Sequence, residues 1–257
     1  MMEGVVELGS VLAAPFTAGL LVLVSHVPLG EQVLRRGIVF IDLAIAQIAA
    51  LGVLLTAGWG NGPFSGWWMS TAAALAGAGL VAWLARAWPE QREALIGLVY
   101  VGGAAAAVLW VSADPHGAQK LRALLAGDIL WVGADSLWLL AVGTALFTAL
   151  GFRHPAALNR DIVFYPAFAI LVSLSVPVLG LYLVFTALIA PALGVHRLRQ
   201  AGHPRARSAA YAIGVIGLLM GLTGSYLLDT PSGPAIVLAL IATAAVSSAL
   251  AAVRLRG

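Results

Sequence analysis

The sequence predicts an all-α, polytopic membrane protein, and three observations predict it. Of 257 residues, 61% are hydrophobic and only 10% charged, where a soluble domain carries about 25% charged residues. The mean hydropathy is +0.97. The apolar residues gather into runs near the length of about 20 that a helix needs to cross a bilayer. No polar block is long enough for a separate soluble domain, so residues 1–257 read as one transmembrane domain. The chain has no cysteine, hence no disulfide and no thiolate ligand. A net charge of +3 in such a chain points to basic inner loops rather than to nucleic acid.

About nine spans are predicted in order. Helix 1 covers about 6–27 and is expected to stop at Pro28-Leu29-Gly30, because proline and glycine break helices. The opening MMEGVVELG carries Glu3 and Glu7 and no basic residue, unlike a signal peptide, and suits an N-terminus facing outward. Helix 2 is expected over about 37–57, followed by the Gly/Trp loop GWGNGPFSGW; helix 3 over about 67–87; and helix 4, after PEQREA, over about 94–113. Residues 114–134 are mixed and read as a short interfacial or re-entrant piece. Helix 5 runs from Asp135, an expected N-cap, to about 151. Helix 6 covers about 162–179, Gly180 breaks the run, and helix 7 covers about 181–195. Helices 8 and 9 cover about 208–228 and 234–253.

The basic residues test this topology. With the N-terminus outside and the C-terminus inside, the inner side holds twelve arginines and the outer side only Lys120 and Arg122. That bias agrees with the positive-inside rule and favours two spans rather than one across 162–195.

Asp42 and Gln47 are the polar residues of helix 2. A carboxylate in a span costs roughly 2.5–3.5 kcal/mol on insertion scales and is usually functional. The pair reads either as the polar lining of a translocation path, with Asp42 as a passing cation contact, or as a structural interhelical hydrogen bond. If helix 2 is continuous from Arg36, Asp42 lies about 9 Å further along it. The inner loop GFRHPAALNRD, residues 151–161, reads as a docking element for a cytoplasmic partner or as an ordinary basic loop. On the outer side Asp114 and His116 could touch an incoming metal. The turn DTPSGP, from Asp229, reads first as rigid. His26 is placed at the inner end of helix 1 and no histidine mid-membrane. No HExxH, P-loop or G-x-S-x-G string occurs, so neither a preformed zinc enzyme nor an ATPase is expected of this chain.

Several strings together resemble the permease subunits of bacterial zinc/manganese ABC importers, the metal-type ABC-3 family. In order they are PLGEQVLRRGIVFIDLAIAQIAALG (28–52), EALIGLVYVGGA (93–104), LRALLAGDILWVGADSL (121–137), VPVLGLYLVFTALIAPAL (176–193) and YLLDTPSGPAIVL (226–238). The resemblance implies a multi-pass subunit of the bacterial inner membrane that pairs with a second permease subunit, as a homodimer. Two cytoplasmic ATPases would hydrolyse ATP, and a periplasmic or lipid-anchored protein would deliver zinc or manganese as the transported substrate. It implies no permanently bound cofactor. It places the ATPase coupling loop at Arg153, His154, Pro155, Asn159 and Arg160, and outer contacts at Asp114, His116, Asp128 and Asp229. Members commonly carry Gly-Asp-x-Leu-x-His in helix 2; here Asp42 takes the Asp place and Gln47 the His place, five residues apart. Residues five apart differ by about 140° around a regular helix, which a π-bulge would correct. Val101 stands near the place of another family histidine, in helix 4. Asp42 is thus the metal contact the resemblance implies, with a metal chelate as the alternative cargo and a secondary transporter as a more distant reading.

Overall fold

The computed structural model describes residues 2–56, 65–127 and 129–254, and side chains within 12–55, 67–127 and 129–253. The side chains of Glu3 and Glu7, and the whole of Asp128, lie outside this description. Eleven α-helices follow one another, with no strand among the described residues. They are α1 (Met2–Arg36), α2 (Ile41–Thr56), α3 (Ser65–Ala87), α4 (Arg92–Val111), α5 (Gly117–Ala126), α6 (Ala134–Arg153), α7 (Asp161–Leu179), α8 (Leu181–Gly194), α9 (His196–Gln200), α10 (Ala206–Leu228) and α11 (Ser232–Arg254). Seven of them are long and apolar enough to cross a membrane, and Ile41–Leu55 and Leu181–Gly194 are shorter apolar helices. Together they account for the nine apolar segments legible in the sequence, and the fold is that of a polytopic helical membrane protein.

Helix α1 corrects the first predicted boundary. It does not stop at Pro28 but runs through both Pro15 and Pro28 to Arg36. Inside a packed membrane bundle, neighbouring helices tolerate the backbone group that proline frees. Gly30 marks a close approach rather than a stop, since a Cβ there would collide with the Leu188 carbonyl of α8. Val27, Leu29 and Val33, spaced along the same stretch, are fully buried. The true break follows Arg36, where Gly37 takes φ +61°, a conformation glycine adopts without strain. Helix α2 therefore starts at Ile41, not 37, and Asp42 does not share a helix with Arg36. A second correction concerns α6: Gly133, not Asp135, is its N-cap, and Asp135 lies in the first turn without a capping hydrogen bond.

Helices α7 and α8 form the centre. Twelve of the nineteen residues of α7 are buried, including Phe164 and Phe168 with no exposure. Helices α4, α6 and α11 instead expose apolar side chains such as Leu109, Trp138 and Val253. A helix apolar all round, with one face open, suits contact with lipid.

Helices α7 and α8 make a hairpin rather than one long span. Asp161, at the start of α7, pairs with Arg36, and Arg199, just past α8, pairs with Glu31. Both ends of the pair thus meet the last turns of α1, so the chain must reverse at Gly180, which takes φ +79°. With 14 residues, α8 spans about 21 Å, short of a hydrocarbon core of about 30 Å. The segment predicted as re-entrant, now α5 and a 3-10 turn at Ile129–Trp131, packs over this short hairpin. Gly127, at φ +69°, lies against Leu179 and Gly180 so closely that a Cβ on either glycine would collide with the other's backbone. Gly233 meets the Ala126 carbonyl in the same way. The start of α11 is therefore a packing element, and the left-handed residue of the turn is the exposed Asp229, at φ 49°, rather than Gly233.

Candidate functional site

Asp42 sits in the first turn of α2, where the aligned peptide dipoles favour a carboxylate. It is completely buried, and neither carboxylate oxygen has a hydrogen-bond partner among the described residues. A buried polar group without a partner costs free energy, so this acid is not a satisfied structural link between helices. Gln47 is also buried, at 2% exposure. It lies against α4, where a Cβ on Gly103 would stand 3.2 Å from its Cγ. Helix α2 is α-helical throughout Ile41–Thr56, with no π-bulge, so Asp42 and Gln47 point about 140° apart. The structure does not bring the two together. No group of three or more His, Cys, Asp or Glu residues capable of holding a metal occurs among the described residues.

Further polar groups lie along the spans. Thr71 and Ser173 hydroxyls meet at 3.1 Å between α3 and α7, and the Ser70 hydroxyl is buried without a partner. His26 corrects its predicted place. Because α1 continues to Arg36, His26 lies ten residues inside that end, within the span Leu12–Arg36, and is fully buried. Its Nδ1 is 3.1 Å from the Val22 carbonyl oxygen and 3.0 Å from Ser25 Oγ, while Nε2 has no hydrogen-bond partner among the described residues.

At the basic end, charge is closely paired. The 3-10 turn Ala157–Asn159 links α6 to α7. Arg36 donates to the carbonyl oxygens of Leu158 and Asn159 at 3.1 and 3.0 Å and pairs with Asp161. Its guanidinium also lies 4.2 Å from the centre of the Phe164 ring. Gln32 Nε2 donates to Asn159 Oδ1 at 3.1 Å. The loop residues Arg153, His154, Pro155, Asn159 and Arg160 remain exposed, so the sequence-predicted docking face is open while its back is gripped by α1. A second basic segment, unmarked by the sequence reading, lies beside it. Helix α9 and the turn after it carry Arg197, Arg199 and Arg205, and Glu31 of α1 pairs with both Arg199 and Arg207.

At the other end, Asp114 accepts from Lys120 Nζ at 2.6 Å and from the His116 backbone N–H at 2.9 Å. The Lys120 hydrogen bond, then that of the His116 backbone, holds the Asp114 carboxyl below the usual carboxylate range. The His116 ring is exposed, with Nδ1 4.0 Å from Asp114. Asp114 and His116 are thus neighbours, whereas Asp229 lies in a separate turn.

Polar groups buried along a bundle of spans, with an ion-paired basic face at one end, fit a membrane transport subunit. The chain belongs to the ABC 3 transport family, which it matches over residues 10–157 and 155–251. It is 26% identical to the uncharacterized membrane protein slr2045 of a Synechocystis species, over 86% of this chain and 84% of that protein. Its fold is similar to that of PsaBC from Streptococcus pneumoniae in complex with Fab, with a TM-score of 0.73 and 16% identity over 96% of this chain and 95% of that one. It is also similar to a structure described as an inward-facing conformation of a putative metal-chelate type ABC transporter, with a TM-score of 0.59 and 16% identity over 88% and 82% of the two chains.

Proposed function

We propose that this chain is the permease subunit of an ABC importer for a divalent metal ion, zinc first and manganese next, working in the bacterial inner membrane. Family membership gives the class, and the observation that carries the cargo is the fully buried, unpartnered carboxylate of Asp42. A site that attracts a cation without enclosing it allows release as well as entry, which conduction requires. In this reading Asp42 and Gln47 line the path from different sides, and Asp42 is a single transient contact. Asp114 and His116, with Asp128 and Asp229, face a periplasmic or lipid-anchored binding protein. The basic end faces the cytoplasm, which leaves the N-terminus outside. Cytoplasmic ATPase subunits supply ATP hydrolysis and dock there, on Arg153, His154, Pro155, Asn159 and Arg160 and on the adjoining segment 195–205. Two copies of the chain form the pore in the lipid bilayer.

The direct experiment is Asp42→Asn in the reconstituted complex. Metal uptake is expected to fall much further than the yield of folded protein; equal losses would make Asp42 a purely structural residue. A second reading, a metal chelate as cargo, is favoured by the separation of Asp42 from Gln47 and by the absence of a three-ligand cluster among the described residues. Competition between free zinc and a zinc chelate for uptake decides between them.

A further inference from the structure

The permease reading leaves open how the basic-end loops reach the helix that carries Asp42. Resting on that reading, we infer that the last two turns of α1 form a brace through which both basic-end loops act on the start of α2. Glu31, Gln32 and Arg36 are its positioning residues.

The brace grips each loop separately. Glu31 is only 6% exposed and pairs with Arg199 of α9 and with Arg207 of α10, the latter at 2.9 Å. The next residue, Gln32, holds the Asn159 side chain at 3.1 Å. Arg36 then holds two carbonyl oxygens of the Ala157–Asn159 turn, the Asp161 carboxylate and the face of Phe164. Three residues of one helix end therefore tie down elements more than 120 residues away on two different loops. An α-helix transmits displacement as a rigid rod, so loops fixed to one end move with it.

The other side of the brace leads directly to α2. Four residues, 37–40, separate Arg36 from Ile41. They are not slack: the Ile38 N–H donates to the Val33 carbonyl at 3.3 Å, and the Val39 N–H donates to the Glu93 carboxylate of α4. Gly37, at φ +61°, supplies the one left-handed hinge. A shift of the α1 end thus turns the first turn of α2 about Gly37, and Asp42 sits in that turn. These contacts make a contiguous chain of hydrogen-bonded and packed residues from both loops to the first turn of α2, and a response of that chain to ATP is what the brace requires.

The test uses the complete complex with its ATPase and binding protein in vesicles, with zinc as probe. Glu31→Gln keeps the size of the side chain and removes its charge. The ratio of zinc moved to ATP hydrolysed is expected to fall at least about fivefold, the lower range of an allosteric coupling, with hydrolysis little changed; Glu31→Asp restores part of it. Because the chain has no cysteine, Phe40→Cys gives this chain a single thiol at the junction, where the native side chain is 47% exposed, and labelling is read on this chain after it is separated from its partners. Its labelling rate is expected to change on ATP addition and to stop responding when Glu31→Gln is added. Transport and hydrolysis falling in equal proportion, or an ATP response of the thiol that survives Glu31→Gln, overturns the brace. A wild-type complex that hydrolyses ATP but moves neither zinc nor manganese overturns the proposed cargo instead, and the thiol response still decides the brace.

Discussion

The two ends of the bundle are held together by different means. At the basic end, long side chains reach across loops: Arg36 to Asp161 and two carbonyls, Glu31 to two arginines, Gln32 to Asn159. At the opposite end, backbone meets backbone through Gly127, Gly180 and Gly233. The arginines that Glu31 holds are partly solvated, so these side-chain pairs can be remade in a new geometry. Glycine contacts have no flexible atom to yield, and packed interiors resist small changes of volume. The difference suits a transporter whose loop end must follow a partner while its other end keeps the short α7–α8 hairpin seated.

Substitutions at the glycine end should break this contrast most severely. Gly180→Val adds a Cβ into the Gly127 backbone at φ +79°. Left-handed strain of about 1–2 kcal/mol and overpacking of about 1–3 kcal/mol add, so folded yield and thermal midpoint should collapse; a variant of normal yield would refute the rigid seat. Glu31→Gln comes next, at roughly 1–3 kcal/mol, since the carboxylate is nearly buried but its arginines are partly solvated. Thermal unfolding of the purified chain measures it. Arg36→Gln leaves Asp161, whose side chain is 39% exposed, with Arg86 at 3.8 Å as its remaining partner, and should cost less than Glu31→Gln by the same assay.

The smallest effect is expected at Lys120. Lys120→Ala should leave thermal stability unchanged while the Asp114 carboxyl titrates higher, towards its ordinary value of about 3.9, as carboxyl NMR would show. The sign follows from the direction of the shift. A carboxylate held low contributes above its ordinary pKa and loses that contribution as pH falls through the lowered value. The Lys120–Asp114 pair therefore opens only in acid, and transport near neutral pH should not depend on it.

Composition and hydropathy made the fold class and all nine apolar segments legible. The count of basic residues also favoured the α7–α8 hairpin, which the shared contacts with α1 explain. Pro28 was misleading because proline's effect depends on neighbours that a sequence does not show: here α8 passes close at Gly30, and the helix continues. That error displaced His26 from the span and cut Glu31, Gln32 and Arg36 off the end of α1. Asp42 itself was legible as an anomalous charge, whereas its lack of a partner could only be seen in three dimensions. The roles of Glu31, Gln32 and Arg36 were hidden because their partners lie on distant loops, and no local pattern encodes such pairs.

The most direct measurement of the central claim is zinc and manganese uptake by vesicles holding this chain with its ATPase and binding protein. Accumulation that requires ATP and the binding protein, and that drops when Asp42 becomes Asn, is the predicted result. Vesicles that hydrolyse ATP yet accumulate neither ion, while taking up a metal chelate, would contradict the account of a free divalent metal drawn past Asp42.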